Sequence, residues 1–124
     1  MATRDAYLCN YFCLDEYLTA GACTDLRSVA RCIRPLLEGN LRLRFPKSFT
    51  RDEWLGDFIT KIRNSGPADS LSPLRPKLSD LEDINNYSKK YHHDQNQTGA
   101  DTEPVNDTSL QAYARRALQF VSGV

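Results

Sequence analysis

Both histidines of the chain lie side by side in the sequence NNYSKKYHHD, residues 85 to 94, which we call the histidine strip. An imidazole with an asparagine and lysines nearby has what cleavage of RNA without a metal requires. A base takes the proton of the 2′-hydroxyl, an acid protonates the leaving oxygen, and cations stabilise the charge of the phosphorane. A histidine near its ordinary pKa of about 6.5 can serve in either role. His92 and His93 are therefore candidate catalytic residues.

A structural interpretation of the histidine strip stands beside the catalytic one. A continuous helix would give the strip two polar faces, which carry Asn85, Ser88, Lys89 and His92 on one side and Asn86, Lys90 and His93 on the other. Tyr87 and Tyr91, four residues apart, would then pack inward together. In this interpretation one histidine packs against the core and the other is solvated near the helix C-terminus, where a cation is favoured. The strip alone leaves both interpretations open.

A second polar group consists of Arg34 and Glu38, whose spacing of four residues lets guanidinium and carboxylate meet on one helical face. The simpler interpretation is an exposed pair, which contributes a few tenths of a kcal/mol. The alternative is a pair held between helices, in which Glu38 orients Arg34 to bind a phosphate bidentately. Spacing alone favours the exposed pair.

Charge is distributed unevenly, although the net charge is zero. Residues 26–51 hold seven basic side chains and one acid, whereas residues 94–107 hold four acids and no base. This asymmetry is compatible with an anionic partner, but a run of charge is more often a solvated helix face. The sequence pI of about 6.7 does not indicate a strongly basic nucleic-acid-binding domain.

Length and motifs limit the possible classes of protein. The 124 residues suit one domain spanning residues 1–124, and no apolar run approaches the roughly 18 residues that cross a bilayer. Charges interrupt the N-terminal segment, which makes it a poor signal peptide, so we expect a cytoplasmic protein without a membrane partner. Since no glycine-rich phosphate loop, HExxH helix or EF-hand loop occurs, we expect no cofactor and no metal.

Four cysteines, at Cys9, Cys13, Cys23 and Cys32, raise the question of a zinc site. Their spacings match no common zinc module, and they lie among apolar residues. We predict reduced, buried thiols that act as small hydrophobic side chains. A zinc site made by Cys9, Cys13 and a histidine is the less favoured alternative.

The apolar pattern is helical along almost the whole chain, and no segment alternates with period two. The first helix is predicted over residues 5–19, with Leu8, Tyr11, Phe12 and Leu18 at helical spacing. Thr24 is expected to cap a second helix that ends at Phe45 and Pro46. At Pro35 this helix either restarts or kinks, and the continuous apolar spacing favours the kink. Its apolar side carries Leu26, Val29, Ala30, Ile33, Leu37 and Leu41. Another side, which we call the arginine face, carries Arg27, Arg31, Arg34, Glu38 and Arg42.

Three further helices complete the prediction. A capping box at Thr50–Glu53 opens a helix that runs to about Arg63, with Trp54, Phe58 and Ile62 facing the core. After a proline-rich connection at 64–76, expected to hold one short turn, a second box at Ser79–Glu82 opens the helix of the histidine strip. The last helix is predicted from about Thr108 to just before Gly123. The predicted fold is all-α, a single bundle of about five helices.

Four segments together resemble a known group of proteins. These are VARCIRPLLEGNLRLRFP (29–46), WLGDFITKIRNSG (54–66), LEDINNYSKKYHHD (81–94) and ADTEPVNDTSLQAYARRALQFVSG (100–123). In order and spacing they resemble the C-terminal helical module of RloC- and PrrC-like bacterial phage-defence ATPases, over about residues 26–122. In the nucleases of that group the module resembles the HEPN fold, in which an Arg-x-x-x-Glu pair and a later histidine are implicated in cutting tRNA anticodon loops.

The resemblance implies a set of site residues. It puts Arg34, Glu38 and His92 or His93 in a catalytic site. Beside these, we predict polar and basic substrate-binding residues from the same two segments: Asn86, Lys89, Lys90, Arg31 and Arg42. It also implies a homodimer, since HEPN domains commonly pair across a cleft. Two positions depart from the pattern. Asn86 stands where these nucleases usually have an arginine, and Lys89 stands where relatives often have a histidine.

Two functions follow as expectations. The first is a HEPN-like domain that binds RNA, with tRNA as a candidate, and cleaves it without metal in phage defence. The alternative is a non-catalytic helical interaction module, a fragment or remnant of an ABC-type ATPase. In that case it docks through the arginine face onto an ATPase or another protein.

Overall fold

The computed structural model of the protein describes residues 2–20, 25–89, 91 and 105–122. All regular secondary structure in these ranges is helical, which confirms the all-α prediction. The elements are α1 (Ala2–Ala20), α2 (Leu26–Ala30), α3 (Ile33–Arg44), α4 (Leu55–Arg63), a 3₁₀-helix (Ser72–Lys77), α5 (Leu78–Lys89) and α6 (Asp107–Ser122). Because α2 and α3 are the two parts of one predicted helix, the predicted number of about five helices also holds.

Helix α3 lies at the centre of the bundle, in contact with α1, α4, α5 and α6. The predicted apolar side is confirmed, because Val29, Ala30, Ile33, Leu37 and Leu41 are all buried. Helix α1 is attached to the start of α6 by the Tyr17 hydroxyl, which donates hydrogen bonds to the carbonyl and the carboxylate of Asp107. None of the described helices combines the length and the apolar character that crossing a membrane requires.

The helix is interrupted ahead of Pro35 rather than kinked there, so the predicted kink is wrong. Helix α2 ends at Ala30, Arg31 and Cys32 form a turn, and α3 restarts at Ile33. Pro35 lies in the first turn of α3, where a missing N–H costs nothing because that group has no partner within the helix. Asp25 caps α2 by accepting the Ser28 N–H at 3.2 Å. The predicted cap, Thr24, lies outside the described residues.

The buried side of α1 differs from the predicted apolar stripe. Leu8 and Phe12 are 43% and 54% exposed, while Leu14 and Tyr17 enter the core. The helix is apolar around much of its circumference, so periodicity does not select one face. The prediction of buried cysteines is wrong for Cys9, which is exposed, and Cys13 and Cys32 are half-buried thiols. Cys23 lies outside the described residues.

Helix α4 begins later than predicted. Glu53 accepts the Thr50 N–H at 3.0 Å, as the predicted capping box requires, but residues 50–53 form only a turn. The helix starts at Leu55, and Asp57 accepts the Trp54 N–H at 2.9 Å. Phe58 and Ile62 are buried as predicted, but Trp54 is 61% exposed, so its predicted core position is wrong. Its position before the first turn takes it off the buried helical stripe.

We expect Gly56→Ala to raise the free energy of unfolding by about 0.5–1 kcal/mol, because alanine loses less backbone entropy in a helix. Gly56 is exposed in α4, and an added Cβ would lie 3.9 Å from Asn85 Nδ2, an ordinary contact. Gly39→Ala is the matched control. Its Cβ would lie 3.2 Å from Tyr7 Cδ1, so crowding between α1 and α3 should cancel or reverse the gain. Equal stabilisation of both variants in urea unfolding would contradict this account.

Candidate functional site

The Arg34–Glu38 pair is enclosed between α3 and α4, not exposed as spacing alone favoured. Glu38 is 4% exposed, and its Oε2 accepts the Leu55 N–H, the first of α4, at 2.6 Å. Arg34 Nε lies 3.6 Å from the same oxygen, and the Arg34 side chain is 16% exposed. The carboxylate therefore serves both the guanidinium and an N–H of α4 that the helix itself leaves unbonded.

Burial shifts the pKa of each partner in the direction that favours its neutral form. Loss of water raises the pKa of Glu38 above its ordinary value, against the opposing effects of the Leu55 N–H and the charge of Arg34. The same loss lowers the pKa of Arg34, partly offset by Glu38. Arg34 Nε is fully buried and has no hydrogen-bond partner within the described part of the chain. The pair is thus costly in desolvation, and it persists because each member has a fixed neighbour.

Trp54 supplies the other neighbour of Arg34. The Arg34 Cζ lies 4.8 Å from the centroid of the indole ring, within the range of a cation–π contact. The indole covers one side of the guanidinium, and Glu38 lies on the same helix four residues further along. Sequence reasoning missed Trp54 as a site residue. The sequence signal for its position is Asp57, three residues later, because a carboxylate there can accept the Trp54 N–H. Trp54 is then the residue that precedes the helix.

The end of the histidine strip contacts the start of the arginine face. Arg31 Nε donates to the Tyr91 carbonyl at 2.8 Å, and the Arg27 Cζ lies 5.4 Å from the Tyr91 ring centroid. Tyr91 is 3% exposed, and its ring meets Tyr87 edge-on at 5.4 Å, so the predicted inward packing of these tyrosines is confirmed. Tyr91, which immediately precedes His92 in the sequence, therefore lies beside an arginine located three residues before Arg34.

Arg42 has a set of backbone partners. It donates to the carbonyls of Thr50 at 3.0 Å, Arg51 at 3.3 Å and Glu53 at 2.7 Å. These three bonds hold the turn that leads into Trp54. The substrate-binding role expected of Arg42 stays a prediction beside this structural one.

The remaining predicted site residues lie on α5 or beyond it. Asn86 and Lys89 are exposed, whereas Ser88 between them is buried. The neighbouring Asn85 reaches the first turn of α4, next to Gly56. Lys90, His92 and His93 lie outside the described residues. Helix α5 itself begins at Leu78, directly after the 3₁₀-helix and one residue before the predicted box. It ends at Lys89, with Tyr91 in a turn, although the sequence predicted a helix to about His92 or His93.

No family profile, curated protein or solved structure matches this chain. Its function is therefore inferred from the geometry of α3, α4 and the end of α5, together with the sequence resemblance. Two features of that geometry could act on a ligand. One is the partly enclosed guanidinium of Arg34, and the other is the exposed indole beside it.

Proposed function

We propose that this chain is a HEPN-like RNA-binding domain, with tRNA as a candidate target, which cleaves RNA without a metal. The observation that carries the proposal is the bond from Arg31 Nε to the Tyr91 carbonyl at 2.8 Å. It joins the residue before the two histidines to the turn that immediately precedes α3, the helix on which Arg34 and Glu38 lie. The resemblance requires Arg34, Glu38 and His92 or His93 to converge in one cleft, and the contact supports this by bringing the residue before His92 close to the start of α3.

The reaction divides the roles among four residues. The substrate 2′-oxygen attacks phosphorus as one of His92 and His93 takes its proton, and the bond from phosphorus to the 5′-oxygen breaks as the other histidine protonates that oxygen. The products are a 2′,3′-cyclic phosphate and a 5′-hydroxyl. Arg34 stabilises the phosphorane charge, and Glu38, which is buried and bonded to the Leu55 N–H, positions Arg34 rather than reacting itself.

Two exposed residues of α5 are placed to extend the substrate contact. Lys89 and Asn86 lie on the surface within the last turn of the described helix. Lys89 offers an ammonium to a phosphate, and Asn86 offers an amide to a base edge or a sugar. Asn86 supplies no charge where related nucleases have an arginine, so Arg34 and Lys89 supply the cations in this proposal.

We expect the purified protein to cut total tRNA in EDTA and to leave 2′,3′-cyclic phosphate ends. The combined His92→Ala and His93→Ala variant should lose cleavage while it still binds tRNA, because the acid and base are removed but the cations stay. Gel analysis of the RNA, with enzymatic identification of the product ends, makes the measurement. Glu53→Gln is the matched control, since that carboxylate pairs with Lys61 on the other side of the turn and should leave cleavage unchanged.

Cleavage that requires a divalent metal, or that survives loss of both histidines, would contradict the proposed mechanism. Absence of both cleavage and tRNA binding would contradict the proposed function as a whole. A homodimer is part of the proposal, because HEPN-type sites pair across a cleft. A monomer mass independent of concentration in light scattering would count against that part.

A docking module is the second candidate function, favoured by the surface of α1. Leu8 and Phe12 are exposed, and Phe12, Cys9 and Cys13 help to line a groove of about 860 Å³ that extends to Val29. An exposed apolar surface of this kind is common where a protein partner binds. In this hypothesis the partner is an ABC-type ATPase, and the protein binds it but no RNA. Co-purification of such an ATPase, lost in Phe12→Asp, would support the module.

A further inference from the structure

Trp54, the one tryptophan of the chain, is 61% exposed although α4 begins at the next residue. One side of its ring is covered by the guanidinium of Arg34, whose Cζ lies 4.8 Å from the ring centroid. With that much of the side chain in solvent, an indole surface is left for a ligand. Neither core packing nor the proposed phosphate chemistry explains why a large aromatic side chain lies in solvent with a cation against one side of its ring.

The backbone beneath Trp54 is held in place on three sides. The Trp54 N–H donates to Asp57 Oδ2 at 2.9 Å, and the next N–H, of Leu55, donates to buried Glu38 at 2.6 Å. On the other side of the chain, Arg42 holds the Glu53 carbonyl at 2.7 Å. Trp54 therefore projects from a fixed support, so a ligand that stacks on its ring would not have to order the backbone first.

We propose that Trp54 is a stacking platform for an unpaired purine base of RNA, with Arg34 behind the indole. This inference rests on the proposed function and names the form of RNA that the site selects. Stacking of a base on an aromatic side chain contributes about 1–3 kcal/mol. Purines are favoured because their larger ring system covers more of the indole. Base-paired RNA is disfavoured because its bases are stacked on one another and present only edges.

The surroundings of Trp54 favour a nucleobase over a protein partner. Its exposed neighbours along the chain are Asp52, Gly56 and Asp57, and Leu55 is buried, so the described segment 51–57 offers no other exposed apolar side chain beside the ring. A protein interface centred on tryptophan usually has such a patch around it. Local charge is nearly balanced, with Arg34 and exposed Arg51 set against Asp52 and Asp57. Beyond the contact with Arg34 itself, attraction of phosphates around the ring is thus weak, and a flat ligand gains most from the ring.

A fluorescence titration tests the platform directly, because the only indole in the protein is the proposed contact. We expect a single-stranded adenine-rich RNA to quench the Trp54 emission on binding, and a blunt RNA duplex of equal length to bind weakly without quenching. Trp54→Ala should weaken single-strand binding by about tenfold, the equivalent of 1.4 kcal/mol. Trp54→Phe, which keeps an aromatic ring, should retain most of the affinity.

Phe12→Ala is the matched control, because Phe12 is also an exposed aromatic residue but lies on α1. It should leave RNA binding unchanged, and circular dichroism melting should show that Trp54→Ala remains folded. If the wild type binds RNA but Trp54→Ala binds it equally well, or if duplex binds as tightly as single strand, the platform is wrong while the proposed function stands. If the wild type binds no RNA of either form, both fail together.

Discussion

Glu38→Ala is expected to lower the free energy of unfolding at pH 7 by about 2–4 kcal/mol. The substitution leaves the Leu55 N–H without its acceptor and Arg34 without its nearest anion, both in a buried setting. Unpaired buried donors cost about 1–3 kcal/mol, and removal of one partner of a buried ion pair costs more. Urea unfolding monitored by circular dichroism makes the measurement. A loss below about 1 kcal/mol would contradict this account of the pair.

Glu38→Gln is the control that separates charge from shape. Burial raises the pKa of Glu38 in the folded protein above its unfolded value of about 4.5, so the folded protein holds the proton more tightly. The corresponding stability is complete below the unfolded pKa and is lost as pH rises through the folded pKa. The wild type should therefore lose stability relative to Glu38→Gln as pH increases from about 4.5. A difference between the two proteins that stays constant with pH would show that burial does not shift this carboxyl.

Arg42→Ala is expected to lower the free energy of unfolding by about 2–3 kcal/mol. Its guanidinium donates to three carbonyls within residues 50–53, and hydrogen bonds from charged donors contribute more than neutral ones. The Arg42 Cζ also lies 5.3 Å from the ring centroid of buried Phe58, so truncation removes packing as well as charge. Thermal and urea unfolding of the variant would measure the loss.

Arg44→Ala is the matched control on the same helix. Arg44 is exposed, its hydrogen bond to Asn40 Oδ1 is long, at 3.4 Å, and its Cζ lies 5.3 Å and 6.0 Å from the ring centroids of Phe45 and Phe120. Its removal should cost about 1 kcal/mol or less, because such contacts contribute little at exposed sites. RNA affinity distinguishes the two roles of Arg42. If Arg42→Ala keeps its stability but loses RNA binding, the residue contacts substrate, as predicted from the sequence, and its bonds to the turn contribute little.

Periodicity predicted the central elements of the fold because their apolar residues lie on a single stripe. Val29, Ile33, Leu37 and Leu41 keep one spacing across the interruption before Pro35, so their burial could be read from the sequence even though the break could not. The same spacing rule predicted that Tyr87, on α5, and Tyr91, in the turn after it, pack inward together. Helix α1 gave no such signal, since Leu8 and Phe12 are as apolar as Leu14, and only the packing of α3 and α6 decides which of them is buried.

The site was only partly predictable, for reasons that differ from residue to residue. The Arg34–Glu38 pair followed from spacing, but its enclosure depends on α4, which lies seventeen residues further along at Leu55. Arg31 and Arg42 bond to backbone carbonyls, which every residue carries and which sequence therefore cannot distinguish. Trp54 was misplaced because two overlapping capping signals, ending at Glu53 and at Asp57, compete for the same helix start.

The central position of α3 has a consequence for how this protein can change over time. The helix contacts four of the other described helices, and its residues from Leu36 to Leu41 are all buried. Glu38 is one of them, so it belongs both to the packing against α4 and to the site. Most of its positions therefore affect both the packing of the bundle and the geometry of the site, and few substitutions there can change the site without disturbing the packing. Substitutions that change ligand recognition should cost less folding stability at Trp54 and on the outer side of α5. These surfaces border the site but contribute little to the core, so they can diverge while α3 stays constant.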